Sequence, residues 1–257
     1  MTINMNKKSN MVLKSSNFRK HVKICLVFLT LLTILNLTAL SFALFFQIKN
    51  SQEITASEIF NNNIYGIVEV KAYSEDIGES YGTAEFIDNE GRLVTNAHVV
   101  TYSNLNQLNT FEHYYIRFAS DEEYIEVSLI KFNEKLDLAV LQMNPSMHKF
   151  SALKTADSSK IQTGDKVYSI GNSANYGLSM SEGIIGSPLI HIEYNNNTRS
   201  VIQANINITE GNSGGALLNN KGELIGITTF RTRDNSGNVI YGIAYCIPVN
   251  TVLEYIK

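Results

Sequence analysis

Glu210-Gly211-Asn212-Ser213-Gly214-Gly215-Ala216 sets a serine among glycines, between strand-like runs at 200–206 and 216–218. Glycine lets a backbone fold tightly around an exposed side chain and lets amide N–H groups point at a substrate carbonyl instead of into a ladder. The stretch therefore reads as a nucleophile loop. A plain surface turn uses the same residue types, so the surrounding sequence has to decide.

Working outward, short runs rich in Val, Ile, Tyr, Phe and Thr recur between Gly, Asn, Asp and Ser clusters. They lie at 64–73, 81–87, 92–96, 114–118, 124–132 and 138–143, and again at 166–170, 178–185, 189–194, 200–206, 216–218, 223–230 and 239–247. Strands at this spacing with turn signals between them predict an all-β sandwich or barrel. Six runs precede the polar connection at 151–163 and seven follow it, the extra one read as a short strand beside the nucleophile loop. The expected architecture is two six-stranded antiparallel β-barrels, over about 63–150 and 160–257, with a short C-terminal helix at 249–257, where Val252, Leu253 and Ile256 take helical spacing behind Pro248.

A serine hydroxyl is a poor nucleophile until a base takes its proton, and the base needs a third group to orient it and stabilise its charge. His98 follows the apolar run Leu93-Val94 in Gly91–Val100, where a barrel edge would hold it rigidly. Asp137 stands directly before Leu138-Ala139-Val140-Leu141, a run so apolar that the carboxylate must find a partner. His21, His113, His148 and His191 fit less well by context. His98, Asp137 and Ser213 as an ordered set are far more specific than any one of them.

Thr95-Asn96-Ala97-His98-Val99-Val100, Asp137-Leu138-Ala139-Val140-Leu141, Gly164-Asp165-Lys166-Val167 leading to Ile170-Gly171-Asn172, Gly211-Asn212-Ser213-Gly214-Gly215 and Gly222-Glu223-Leu224-Ile225-Gly226-Ile227 together resemble the protease domain of HtrA/Deg-type serine proteases of the chymotrypsin fold. The resemblance covers about residues 60–257. Residue by residue, it implies Ser213 as nucleophile, His98 as general base and acid, and Asp137 as its orienting partner. It further implies an oxyanion hole from the backbone N–H groups of Gly211 and Ser213 with Asn212 shaping the turn, a pocket wall including Asn207 and Ile208, and a substrate-pairing strand at Thr229, Phe230 and Arg231. No carboxylate falls at the pocket base, so a small or medium apolar residue is expected before the scissile bond. Thr228 stands where glutamyl endopeptidases of the same fold tend to carry histidine, which lowers that alternative.

The resemblance implies extended or unfolded polypeptide substrates, a role in extracytoplasmic protein quality control, and, since such proteases are often trimers, a homotrimer. Glu210 replaces the proline or basic residue common before the Gly-Asn-Ser, and no peptide-sensing PDZ module is expected in the nine residues after Pro248. These departures motivate a second reading, a catalytically weak peptide-binding holdase or adaptor. Asn212 stands where digestive relatives carry an acid that pairs with a newly cut N-terminus, so loop ordering is a better expectation than cleavage-driven activation.

Residues 24–46 contain no formal charge over 23 positions, enough to cross a hydrocarbon core of about 30 Å. Six basic residues precede the run and Lys49 follows it, so positive-inside bias puts the basic tail, residues 1–23, in the cytoplasm and everything beyond outside. Ser41-Phe42-Ala43 resembles a signal-peptidase site, but the run exceeds an ordinary signal core, which favours a retained anchor. Residues 47–62 read as a linker, and 63–257 as the protease domain. Seven of the 21 basic residues precede the first acid, Glu53, leaving 14 against 24 acidic residues, a net of about −10 that argues against nucleic-acid binding. Cys25 and Cys246 leave one cysteine outside the anchor, so no internal disulfide is expected there. Histidine and cysteine spacing suggests no metal, and no other cofactor is expected.

Overall fold

In the computed structural model, backbone is described for residues 3–50, 54–105, 107–119, 121–194, 197–233 and 239–257. The chain divides into two compact units, residues 1–53 and 54–257. The first consists of helix α1 (Ile3–Asn50). Its Phe18–Phe46 section is long and apolar enough to cross a membrane, and none of it is buried. Hydroxyls there turn inward along the helix: Thr30 and Thr33 donate to carbonyls three residues earlier, at 2.8 Å.

The second unit begins with helix α2 (Ala56–Asn63). Residues 56–62 of the stretch expected as a linker form this helix, and 51–53 lie outside the described residues. Thr55 and Glu58 form a reciprocal capping box, with the Thr55 hydroxyl accepting from the Glu58 N–H and the Glu58 carboxylate accepting from the Thr55 N–H. That cap starts a helix whose Ile59 is buried in the domain core.

Strands β1 (Ile67–Ser74), β2 (Gly78–Phe86) and β3 (Arg92–Thr95) follow, then a single helical turn α3 (Ala97–Val100). A two-stranded hairpin, β4 (Thr101–Asn104) and β5 (Gln107–Thr110), precedes β6 (His113–Arg117), β7 (Ile125–Asn133) and β8 (Leu138–Gln142). The first barrel closes in the order β1-β2-β3-β8-β7-β6. The second half has β9 (Lys166–Asn172), β10 (Leu178–Tyr194), β11 (Asn197–Asn205), β12 (Ala216–Asn219), β13 (Leu224–Arg233) and β14 (Val239–Pro248). These close in the order β10-β11-β14-β13-β12-β9, and helix α4 (Val249–Ile256) ends the fold.

Two expectations about the second barrel change. The runs at 178–185 and 189–194 are one strand, β10, whose register against β11 slips between Ile185 and Ser187 and again before Ile190. Pro188 in that segment has no N–H to give a ladder. The short run 216–218 is β12, an integral barrel strand between β9 and β13, not an extra one beside the loop.

Alternation explains the packing. On β1, Val68, Val70 and Ala72 fill the first barrel while Ile67 faces the other way. On β8, Ala139 and Leu141 point into that barrel and Leu138 points out of it, which is why the whole run reads as apolar. The outward set meets Tyr168, Ile170, Leu218 and Ile227 from the second barrel, together with Ile59 of α2 and Val249 and Val252 of α4. A third cluster, including Val167, Ile185, Ile202 and Cys246, fills the second barrel. Cys246 is fully buried there, and burial pushes its thiol pKa far up, so it is an inert core residue.

Candidate active site

His98 sits on α3, a one-turn helix held by its neighbours: Ala97, Val99 and Val100 are buried while the imidazole is about half exposed. Asn96, just before it, donates from Nδ2 to the carbonyl of Asp137 at 3.0 Å. Asp137 lies in the turn between β7 and β8 with φ +56°, a left-handed conformation that costs a non-glycine residue on the order of 1 kcal/mol. That turn aims the carboxylate at His98. The His98 N–H donates to Oδ1 at 3.1 Å, and Nδ1 lies 3.0 Å from both carboxylate oxygens.

Burial alone would raise the Asp137 pKa, but the His98 hydrogen bonds and charge, with the Thr229 hydroxyl, outweigh it and hold the group below the usual carboxylate range. Asp137 is therefore ionised at neutral pH and accepts a proton bond from Nδ1, which leaves Nε2 as the basic nitrogen. Thr229 Oγ1 donates to Asp137 Oδ2 at 2.5 Å, and the Thr229 carbonyl accepts from Ser213 Oγ at 3.2 Å. Ser213 thus joins the pair through Thr229, with its hydroxyl turned to that carbonyl.

The loop bearing Ser213 has a simple backbone account. The Thr209 carbonyl accepts from the Asn212 N–H, Glu210 from the Ala174 N–H, Asn212 from the Gly215 N–H, and Ser213 from the Thr83 N–H. The Gly211 carbonyl takes the Thr83 hydroxyl at 2.8 Å, and the same hydroxyl accepts the Asn172 N–H at 2.9 Å. Every carbonyl from 209 to 213 is tied. Among the described residues, the N–H groups of Gly211 and Ser213 donate to no protein acceptor. Glycine is required at the bend: Gly211 has φ +87°, and a Cβ there would lie 2.0 Å from the Asn172 carbonyl.

The other predicted residues lie as follows. Asn212 is buried, its Oδ1 taking the Ser173 hydroxyl at 2.9 Å. Glu210 and Asn207 are exposed, and the Asn207 carbonyl accepts from Ser181 Oγ at 3.2 Å. Ile208 is buried with the apolar cluster of the second barrel. Phe230 packs against Tyr245 with ring centroids 5.2 Å apart. Arg231 pairs with Ala244 on β14, and its side chain lies outside the described residues. Thr229, on β13, has its hydroxyl on Asp137. Thr83 escaped the sequence reading altogether. Among the described residues no group of three or more His, Cys, Asp or Glu side chains could hold a metal.

The sequence profile of the family described as "Trypsin-like peptidase domain" matches residues 82–227. The chain belongs to that family. Among its relatives, this trypsin-like peptidase domain is 38% identical over 162 residues to the "Probable periplasmic serine endoprotease DegP-like" of Buchnera aphidicola subsp. Schizaphis graminum, covering 62% of this chain and 31% of the relative. It is 34% identical over 176 residues to "Periplasmic serine endoprotease DegP" of Escherichia coli K12, covering 66% and 34%. The chain thus spans about a third of the length of the curated relatives it matches. A solved "HtrA-type protease AlgW with tripeptide" superposes with a TM-score of 0.68 at 27% identity, over 79% of this chain and 62% of that one. The trypsin-like peptidase domain described here is accordingly of the HtrA/Deg type, with the two-barrel fold the strand rhythm predicts.

Proposed function

We propose that this protein is a membrane-anchored serine endopeptidase that hydrolyses peptide bonds through Ser213, His98 and Asp137. The observation that carries the reading is the backbone account of residues 209–213: every carbonyl is tied down while the Gly211 and Ser213 amides are left over, beside a His–Asp pair. Unpaired amides next to a candidate nucleophile are what a developing oxyanion needs.

In this reading Ser213 Oγ rotates from the Thr229 carbonyl towards His98. His98 Nε2 takes the hydroxyl proton as Oγ bonds to the peptide carbonyl carbon, and the carbonyl oxygen, now negative, takes the Gly211 and Ser213 N–H groups. Asp137, ionised, stabilises the imidazolium through Nδ1. His98 then gives its proton to the amide nitrogen as the C–N bond breaks, and water repeats the sequence on the acyl-enzyme to release the acid and restore Ser213. Asn212 shapes the turn.

Asn207 and Ile208 would wall the pocket, and Thr229, Phe230 and Arg231 would run beside the substrate, favouring a small or medium apolar residue before the scissile bond. Residues 24–46 would anchor the chain with the domain outside the cytoplasmic membrane, acting on extended or unfolded polypeptides as a homotrimer. The apolar helix supports the anchor.

A fluorophosphonate probe on the full chain tests the chemistry. Labelling should be abolished by Ser213→Ala, and peptide turnover should fall by about 10⁶-fold. Equal labelling of the two proteins, or turnover retained by the variant, would overturn the assignment.

A further inference from the structure

We propose that Arg199 is a positioning residue: it straps the turn carrying Asp137, at the β7–β8 corner of the first barrel, to β11 of the second, and so sets the carboxylate for His98. The inference rests on the functional reading of His98, Asp137 and Ser213 given above.

Arg199 occupies an unusual place for an arginine. Its side chain is 8% exposed while Thr198 and Ser200, its neighbours on β11, are exposed. Burying a guanidinium is costly unless its surroundings use it. Here Nη2 donates to the Glu134 carbonyl at 2.8 Å and Nη1 lies 3.7 Å from Asp137 Oδ2. One rigid planar fork therefore spans the turn from its first residue to its last.

That turn needs a brace. Asp137 holds a left-handed φ, and the turn's own ties are the Asp137 N–H to the Glu134 carbonyl at 3.2 Å and the Leu136 N–H to Asn133 Oδ1 at 3.0 Å. Arg199 adds a bond to the same Glu134 carbonyl from across the cleft between barrels. Because β11 also carries the chain towards Asn207 and the nucleophile loop, the strap links the acid of one barrel to the strand that leads to the serine of the other.

The charge has a second effect. Asp137 Oδ2, which Arg199 approaches, also takes the Thr229 hydroxyl and lies 3.0 Å from His98 Nδ1. The groups facing that carboxylate are the backbone N–H and imidazole of His98 from α3, the Thr229 hydroxyl from β13 and Arg199 from β11, while the Asn96 amide holds the backbone carbonyl of Asp137. Of these only His98 and Arg199 bear charge. Glu134 and Lys135 on the same turn are exposed. On β10 the register partner of Arg199 is Ile192, while His191 and Glu193 alternate to the opposite face. A fixed cation 3.7 Å from Oδ2 competes with the imidazolium for the same carboxylate, so the acidic limb of activity should depend on Arg199.

The test is kcat/KM against pH for a chromogenic peptide, using the full chain in detergent with Arg199→Gln, Arg199→Met and Arg199→Lys. Gln can still donate to the Glu134 carbonyl but has no charge; Lys keeps the charge without the fork. The Gln and Met variants should move the acidic limb up by about 0.5 to 1 in pH. Met should also lower kcat by about tenfold with KM within about twofold, the pattern of a displaced reacting group. Lys should restore the limb to near its original position. An unchanged limb in folded Gln and Met variants would overturn the proposal, and so would failure of all three to fold, which would make Arg199 a structural strut only. Ser213-dependent turnover by the unsubstituted chain checks the underlying reading separately: its absence would sink that reading, whereas turnover with an unmoved limb would sink only the role of Arg199.

Discussion

Replacing Glu85 by leucine should stabilise the protein, and by more the higher the pH. Glu85 on β2 is fully buried, and neither carboxyl oxygen has a hydrogen-bond partner. Its register partners, Ile67 on β1 and Val94 on β3, belong to the apolar cluster between the barrels, so the side chain enters that same layer. Burial pushes its carboxyl well above the ordinary carboxylate range. The sign of the linkage follows. Below about pH 4.3, where glutamate in the unfolded chain is also protonated, Glu85 adds no pH dependence. Above it the unfolded chain releases the proton while the folded chain keeps it, and folding loses about 1.4 kcal/mol per unit of pH until the folded pKa is reached. Leucine has no such proton. Urea unfolding of the full chain in detergent, followed by the near-UV signal of its 13 tyrosines in the absence of tryptophan, should show the variant's advantage growing as the pH rises from 5 to 6. A constant difference between those pH values would refute the reasoning, because it would mean Glu85 ionises alike in the folded and unfolded chains.

Two further substitutions probe the loop. Thr83→Val removes a hydroxyl that serves both the Gly211 carbonyl and the Asn172 N–H; thermal unfolding should show a loss of about 2–4 kcal/mol, with serine at that position restoring most of it. Gly211→Ala adds a Cβ where the Asn172 carbonyl lies 2.0 Å away, at φ +87°. Phosphonate labelling should slow by about 10²-fold or more, the scale of a lost oxyanion donor.

How far the sequence could be read follows from the range of the interactions involved. Strands with their own periodicity were legible, and His98, Asp137 and Ser213 stood out as candidates, because each stands in a distinctive local context. His98 and Asp137 meet across 39 positions and Ser213 reaches them only through Thr229, but each residue stands out in its own stretch of sequence. The bulge that fuses two runs into β10 was not legible, since Gly186 and Pro188 look the same in a bulge as in a turn. Helix α2 did carry a local signal, the Thr55-x-x-Glu58 capping box, set in a stretch too polar and short to stand out by periodicity. The supporting residues were hidden for a different reason. Thr83 meets Gly211 across 128 positions, Thr229 meets Asp137 across 92, and Arg199 meets Glu134 across 65. Two threonines and one arginine in strands give no hint of such partners until the barrels are docked.

The Thr83 clip also bears on when activity can appear. Ser213 belongs to the second half of the chain, yet its own carbonyl and that of Gly211 are held by a residue in the second strand of the first half. The strands of the first barrel all lie within residues 67–142, so the clip precedes in sequence the loop it holds by more than a hundred positions. In the proposed reading, a chain without its second half would carry the histidine and the acid but no ordered serine. The proposed hydrolytic power would then belong to the whole domain and to neither barrel alone.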